Sequence, residues 1–255
     1  MSKLLQFATN APLIFVLVIV IISYLLMIVG FMVRMLAKDN VAQQHCFQAA
    51  VRIVIALVFV LILSHLGWVD EVDLTRFGGW PTLRVVLIPL VYSVVTAVYA
   101  YNSDFKFDLS KPGLIIAVGL NMLVVGLIEE IVFRGIVQQT FVRLWHDSTW
   151  QTLGSVALGA FIFGGSHIIW ALFGKPVAQT ALQSLSAFLA GIVYGALTLS
   201  TGTLWPAILF YGLVNAAVNV KVIGLPDYQE TIKSGVQMVL FDLPVVFYAL
   251  YLLWK

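Results

Sequence analysis

The sequence predicts an all-α, polytopic membrane protein with about eight transmembrane helices around an intramembrane polar cavity. Hydrophobic residues make up 61% of the 255 residues and charged residues only 10%, whereas soluble domains carry roughly a quarter charged residues. Apolar runs of about 20 residues recur along the chain, and a helix of that length crosses a bilayer core. Because no internal repeat or long linker divides the chain, we expect residues 1–255 to form a single integral membrane domain.

The first four predicted spans are apolar runs that end in polar loops. The fourth begins after Ser110 and Pro112, which are residue types that favour a helix start. It is longer than a simple span requires, so we expect it to project from the bilayer beyond Arg134. The four ranges are Pro12–Val33, Ala49–Trp68, Leu83–Tyr101 and Gly113–Val142.

The last four predicted spans contain small and polar residues at helical spacing. In the fifth, Gly164 and Gly165 precede His167 and would let another helix approach closely. In the sixth, Gly191 and Gly195 form a small-xxx-small surface that favours helix packing. The four ranges are Thr152–Phe173, Ala178–Leu199, Leu204–Val220 and Val236–Trp254.

Charge and cysteine content exclude several classes of function. A formal net charge of +2 gives no electrostatic support for binding nucleic acid. Cys46 is the only cysteine, which excludes an intramolecular disulfide and a thiolate cluster. We therefore expect a multi-pass protein of the cell membrane that has membrane lipid as its surroundings and does not bind nucleic acid.

Three charged residues lie close together within the apolar fourth span. Glu129, Glu130 and Arg134 fall within six positions, and a charge at the centre of a bilayer costs at least about 2.5 kcal/mol. On a helix, Glu130 and Arg134 are four residues apart and can pair on one face. Glu129 lies about 100° away round the helix. One carboxylate can therefore be structural while its neighbour is available for chemistry.

Further polar residues in the later spans have both a structural and a functional interpretation. His167 is either a buried packing residue or a partner of the carboxylates. Tyr211 and Asn215 lie on one helix face, where they could bond a neighbouring helix or contribute to a site. Asp242 in the eighth span has no evident partner in the sequence.

Together these residues resemble the motifs of the CAAX protease and bacteriocin-processing (Abi) family of intramembrane endopeptidases, which includes the type II CAAX prenyl endopeptidase. The resemblance covers residues 123–218, and its motifs stand in the family's order and spacing. They are Glu129-Glu130-x-x-x-Arg134, Phe163-x-x-x-His167 and Trp205-Pro206-Ala-Ile-Leu-Phe-Tyr211-x-x-x-Asn215.

The resemblance implies hydrolysis of a peptide bond in a membrane-associated peptide or protein. By this resemblance, Glu129 is the general base and His167 its partner, and together they hold the attacking water. Glu130 and Arg134 would orient the site through their ion pair. A third motif, normally His-x-x-x-Asn or His-x-x-x-Asp, would stabilise the oxyanion. If these roles hold, Glu129, His167, Tyr211 and Asn215 should approach one cavity.

The chain departs from the family pattern at Tyr211, where the third motif normally has histidine. A tyrosine hydroxyl is a hydrogen-bond donor and could form an oxyanion hole with the Asn215 amide. Alternatively, the chain is an inactive relative that acts by binding, for example as a bacteriocin-immunity or regulatory protein. Losing one oxyanion donor typically slows a reaction by about 100- to 1,000-fold.

The same residues predict that the protein uses no metal or other cofactor. A catalytic zinc site commonly needs three protein ligands, but only Glu129 and His167 are suitable, and the His-Glu-x-x-His pattern is absent. A transporter that uses the acids as an ion path is a third hypothesis. Such a protein commonly has internal repeats, and the sequence shows none.

Overall fold

The computed structural model describes residues 2–37, 40–102, 110–145, 148–219 and 230–254, and every secondary-structure element in these ranges is a helix. In chain order the elements are α1 (Lys3–Asn10), α2 (Pro12–Arg34), α3 (Val41–Leu66), α4 (Val69–Val72), α5 (Gly79–Asn102), α6 (Pro112–Glu130), a π-helix π1 (Ile131–Gln138), α7 (Gln139–Leu144), α8 (Thr149–Ser166), α9 (Ile169–Leu172), α10 (Val177–Thr201), α11 (Trp205–Asn219) and α12 (Ile232–Trp254).

The all-α polytopic fold is confirmed, whereas the count of eight spans is not. Within the described residues, seven helical segments are long and apolar enough to cross a membrane. The predicted span Leu204–Val220 corresponds to α11, which has 15 described residues and is shorter than the roughly 17–25 that a spanning helix needs. Val220 itself lies outside the described residues. The protein is therefore an integral, multi-pass membrane protein.

Polar capping residues extend one span beyond its apolar run. α3 begins at Val41 rather than at Ala49, because the Asn40 side chain accepts a hydrogen bond from the Gln43 backbone N–H at 3.0 Å. An N-cap of this kind satisfies a donor that the first helical turn leaves open. The start of α3 could not be predicted from the hydrophobic pattern alone.

The long fourth span is not a uniform α-helix. α6 ends at Glu130, the next eight residues form π1, and α7 continues to Leu144. All eight residues of π1 are buried. π-helical turns are rare and occur frequently at functional sites. The change of helix type falls between Glu130 and Arg134.

The fifth predicted span is also interrupted. The predicted span Thr152–Phe173 corresponds to the segment Thr149–Leu172, in which α8 ends at Ser166 and α9 begins at Ile169. His167 is the residue that follows α8, and its backbone N–H bonds to the carbonyl oxygen of Gly164 at 3.1 Å. The histidine therefore lies at a helix end.

Close backbone approaches hold the helices around this region together. A Cβ atom added at Gly126 would lie 2.6 Å from the carbonyl oxygen of Ile208, and one added at Gly212 would lie 2.9 Å from the Leu123 Cα. The small residues thus bring α6 against α11. Close contact through small residues is the usual way in which helices associate in membranes.

α10 packs against α8 and π1 in the same manner. A Cβ atom at Gly164 would lie 2.6 Å from the Ser184 carbonyl oxygen, and one at Gly191 would lie 2.9 Å from Ala160. Gly195 similarly leaves no room beside Gln138. The predicted Gly191–Gly195 packing surface is present.

Candidate active site

Tyr211 and Glu129 are joined directly across the contact between α11 and α6. The Tyr211 hydroxyl donates a hydrogen bond to Glu129 Oε2 over 2.6 Å. Glu129 is half-buried, one helical turn beyond Gly126, where the two backbones approach most closely. Tyr211, which stands where the third motif normally has histidine, therefore contacts Glu129, the expected general base.

Glu130 and Arg134 form the ion pair that their spacing predicts. Arg134 Nη1 lies 2.8 Å from Glu130 Oε1, and the two side chains are 2% and 0% exposed. Arg134 Nη2 also donates to the Gly191 carbonyl oxygen at 3.3 Å. The guanidinium lies 4.4 Å from the ring centroid of Phe163 and 5.2 Å from that of Tyr194, within the range of cation–π attraction. Arg134 thus connects π1 to α8 and α10.

His167 has a defined tautomer. Its Nδ1 lies 2.9 Å from the Phe163 carbonyl oxygen, and a carbonyl oxygen only accepts hydrogen bonds. Nδ1 therefore carries the proton, and a neutral ring leaves Nε2 as a hydrogen-bond acceptor. The Phe163 ring lies edge-on to both the His167 ring, at 4.9 Å between centroids, and the Tyr211 ring, at 5.7 Å.

A water-accessible cavity of about 130 Å³ contains three of the four residues that were expected to share one. His167, Tyr211 and Asn215 line it. Within the described part of the chain, the buried Asn215 Nδ2 has no hydrogen-bond partner. The amide lies next to the Tyr211 hydroxyl and keeps donor capacity that a ligand of the cavity could use.

Glu129 does not line that cavity. It lines a smaller pocket of about 20 Å³ between α2 and α6, together with Tyr24 and Met27. The expectation that Glu129 and His167 line one cavity is therefore wrong for this conformation. The Tyr211 side chain both lines the cavity and bonds Glu129, so it lies between the two.

Sequence reasoning did not place Asp242 in the site, although the structure does. Asp242 lines the same cavity, and Ser186 Oγ donates to its Oδ2 at 2.6 Å. Gln183, one turn before Ser186, is also part of the lining. An unexplained carboxylate in a membrane span was the available signal, but the sequence does not show which helix packs against α12.

A separate polar network lies before Glu129 on α6. Asn121 accepts a hydrogen bond from Arg52 Nη1 at 2.6 Å, and its Nδ2 contacts His45 Nδ1 at 2.9 Å and Gln48 Oε1 at 3.2 Å. These bonds join α3 to α6.

Among the described residues, no group of three His, Cys, Asp or Glu side chains is arranged to hold a metal ion.

The family of type II CAAX prenyl endopeptidase Rce1-like proteins matches this chain over residues 111–217. This region includes Glu129, Glu130, Arg134, His167, Tyr211 and Asn215. No curated protein and no solved structure matches the chain. The resemblance to the CAAX-type intramembrane protease family is therefore confirmed for the part of the chain that carries these residues.

Proposed function

We propose that the protein is an intramembrane endopeptidase that hydrolyses a peptide bond with a water activated by Glu129 and His167. The observation that supports this most strongly is the Tyr211–Glu129 hydrogen bond, because it connects the acidic motif to the cavity that His167 and Asn215 line. The substrate would be a membrane-associated peptide or protein, including the prenylated or bacteriocin-like classes.

In the proposed reaction, Glu129 acts as general base. The Tyr211 hydroxyl donates a hydrogen bond to Oε2 of the carboxylate, and the other oxygen, Oε1, accepts a proton from the water. The water oxygen bonds to the scissile carbonyl carbon, and the carbonyl oxygen becomes an oxyanion. Glu129 then returns the proton to the departing amine as the C–N bond breaks. His167 Nε2 orients the water by accepting its second O–H.

Asn215 is a better candidate for the oxyanion donor than Tyr211. The single hydroxyl proton of Tyr211 is already donated to Glu129, whereas Asn215 Nδ2 is buried without a partner among the described residues. An unpartnered buried donor is costly unless a ligand satisfies it. Tyr211 then acts as a positioning residue that holds the Glu129 carboxylate.

Glu130 and Arg134 also act by positioning. Both are buried, and Arg134 donates hydrogen bonds to the Glu130 carboxylate and to the Gly191 carbonyl oxygen. Contacts of the guanidinium with Phe163 on α8 and with Gly191 and Tyr194 on α10 fix π1 relative to those helices. The pair therefore holds Glu129 and the Phe163–His167 segment in register.

A second candidate function is a binding or immunity role without catalysis. Two observations favour it. Tyr211 caps Glu129, and Glu129 lies outside the cavity that His167 lines. For catalysis, substrate binding must shift the Tyr211 ring far enough to join the pocket and the cavity while its hydroxyl stays bonded to Glu129. An inactive relative would need no such movement.

The test is cleavage of a library of membrane-associated peptides by purified protein in detergent, with and without a chelator. We expect Glu129→Gln and His167→Ala to abolish cleavage, while Glu71→Gln, whose carboxylate contacts Gln139 and Arg143 outside the site, retains it. Resistance to chelation would support the metal-free mechanism. No cleavage by the folded native protein, or equal cleavage by Glu129→Gln, would contradict the proposal.

A further inference from the structure

Asp242 is a cavity carboxylate that the proposed mechanism does not use. Its Oδ2 accepts a hydrogen bond from Ser186 at 2.6 Å, and the side chain is only half-buried. No cation lies within ion-pair distance of it among the described residues. Asp242 therefore keeps hydrogen-bonding capacity beside the cavity, and its carboxylate form has no counter-charge there among the described residues.

Apart from the proposed base Glu129, the other charged groups near the cavity are paired. Glu230 is part of the lining, but Lys175 Nζ lies 2.5 Å from its Oε2. The Glu130–Arg134 pair lies outside the lining. Of the titratable residues that line the cavity, this leaves His167, Tyr194 and Tyr211, none of which supplies a fixed positive charge. The cavity wall therefore attracts a cation at Asp242.

A structural explanation accounts for only part of this arrangement. A hydrogen bond between α10 and α12 could be made by an uncharged side chain, whereas an acid within a membrane span costs about 2.5 kcal/mol or more. Intramembrane acids of this kind commonly mark binding sites or ion pathways. The position of Asp242 in the cavity of His167 and Asn215 associates it with a ligand of that cavity.

We propose that Asp242, held by Ser186, is a subsite that binds a basic side chain of the peptide substrate. The ligand group is the ammonium of lysine or the guanidinium of arginine, bound while the scissile bond lies near His167 and Asn215. The inference rests on the proposed function and adds a substrate class to it. A half-buried carboxylate that meets such a cation gains a charge-assisted hydrogen bond in place of water.

The experiment uses N-acetylated peptides, so that the only alkylammonium is the side chain. Lysine is moved through successive positions around the cleaved bond and compared at each with norleucine, which lacks the charge. At one position we expect native protein to prefer lysine by about tenfold or more in kcat/KM. Asp242→Asn should remove that preference, because asparagine keeps the shape and a Ser186 partner but loses the charge.

Ser186 and Ser184 offer a matched pair of controls on α10. Ser186→Ala should weaken the lysine preference, because it releases the Asp242 carboxylate. Ser184→Ala should leave the preference intact, because the Ser184 hydroxyl is buried without a partner among the described residues. Thermal unfolding of each variant in detergent separates loss of preference from loss of fold. A lysine preference that survives in Asp242→Asn would overturn the proposal.

Binding distinguishes this inference from the proposed function. Fluorescence anisotropy with labelled peptides is measured on Glu129→Gln and on Glu129→Gln with Asp242→Asn. If native protein cleaves nothing but lysine peptides bind in an Asp242-dependent manner, the subsite stands and the peptidase proposal fails. If native protein cleaves without any lysine preference at any position, the subsite fails and the peptidase proposal stands. Absence of both cleavage and selective binding overturns both.

Discussion

Two neighbouring polar regions of the bundle differ in whether their charged groups have a counter-charge. The ion-pair core consists of Glu130, Arg134 and the Gly191 carbonyl, closed by the rings of Phe163 and Tyr194. The cavity wall consists of His167, Tyr211, Asn215, Ser186 and Asp242. In the core, each charge faces its counter-charge in a packed interior, although Glu130 Oε2 has no hydrogen-bond partner among the described residues. In the wall, an amide donor and a carboxylate remain without full partners among the described residues.

This difference shows that a charged residue within the membrane is not, for that reason alone, a catalytic residue. Glu129 and Glu130 are adjacent in sequence, yet Glu130 is fully buried against Arg134 and Glu129 is half-buried beside Tyr211. The helical offset of about 100° per residue separates their surroundings. Unused hydrogen-bonding capacity beside a cavity is the feature that distinguishes a candidate site from a structural ion pair.

The largest expected effect comes from breaking the ion-pair core. Arg134→Leu would leave Glu130 buried without its counter-charge and should lower the free energy of unfolding by about 3 kcal/mol or more. The double variant Glu130→Leu with Arg134→Leu should recover part of that loss, because no charge remains to be desolvated. Unfolding in mixed detergent measures both. Equal stability of the single variant and native protein would show that the pair is not part of a packed core.

The ion-pair core could be predicted largely from the sequence, whereas the cavity wall could not. The spacing of Glu130 and Arg134 predicts their pairing, because residues four apart share a helix face. Their bond persists although the backbone changes to a π-helix directly after Glu130. The π-helix itself had no signal in the hydrophobic pattern, because a mostly apolar segment of this kind is compatible with either helix type.

The cavity wall depends on which helices meet, and hydropathy does not contain that information. Asp242 and Ser186 lie 56 positions apart and meet only because α10 packs on α12. The resemblance supplied His167, Tyr211 and Asn215, but it did not predict that Tyr211 would bond Glu129 and lie between it and the cavity. That arrangement follows from the tyrosine that stands where the family normally has histidine.

A smaller effect is expected from disturbing the contact between α8 and α10, on which both regions depend. In Gly164→Ala, the new Cβ would lie 2.6 Å from the Ser184 carbonyl oxygen and 2.7 Å from the Phe188 Cβ. Overpacking of this kind costs about 1–3 kcal/mol. Gly165→Ala is the matched control, because nothing lies within 4 Å of its added Cβ. Thermal unfolding should therefore separate the two variants, and similar melting temperatures would contradict the observed packing.

A change within the cavity wall should affect catalysis more than stability. If Tyr211 positions Glu129, Tyr211→Phe should lower kcat about tenfold with little change in KM, which corresponds to loss of one hydrogen bond of about 1.4 kcal/mol. If Tyr211 were itself the oxyanion donor, the loss would be about 100- to 1,000-fold. Asn215→Ala should show that larger loss. The ratio of the two losses assigns the roles, and a larger loss in Tyr211→Phe than in Asn215→Ala would reverse them.

The smallest effect should come from a charge that lies outside both regions. In the loop after α4, the Thr75 hydroxyl donates to Asp73 at 2.7 Å and holds the pKa of that carboxyl below its ordinary value of 3.8. A lowered pKa contributes stability that is present above the ordinary value and lost as pH falls through the lowered one. When the pH falls below about 3.8, native protein should therefore lose more stability than Asp73→Asn does, as measured by the melting temperature at each pH. Asp70→Asn, which alters an exposed acid on α4, should leave the native acid dependence at Asp73 in place. Since neither the ion-pair core nor the cavity wall contains Asp73, cleavage at neutral pH should be the same in both variants.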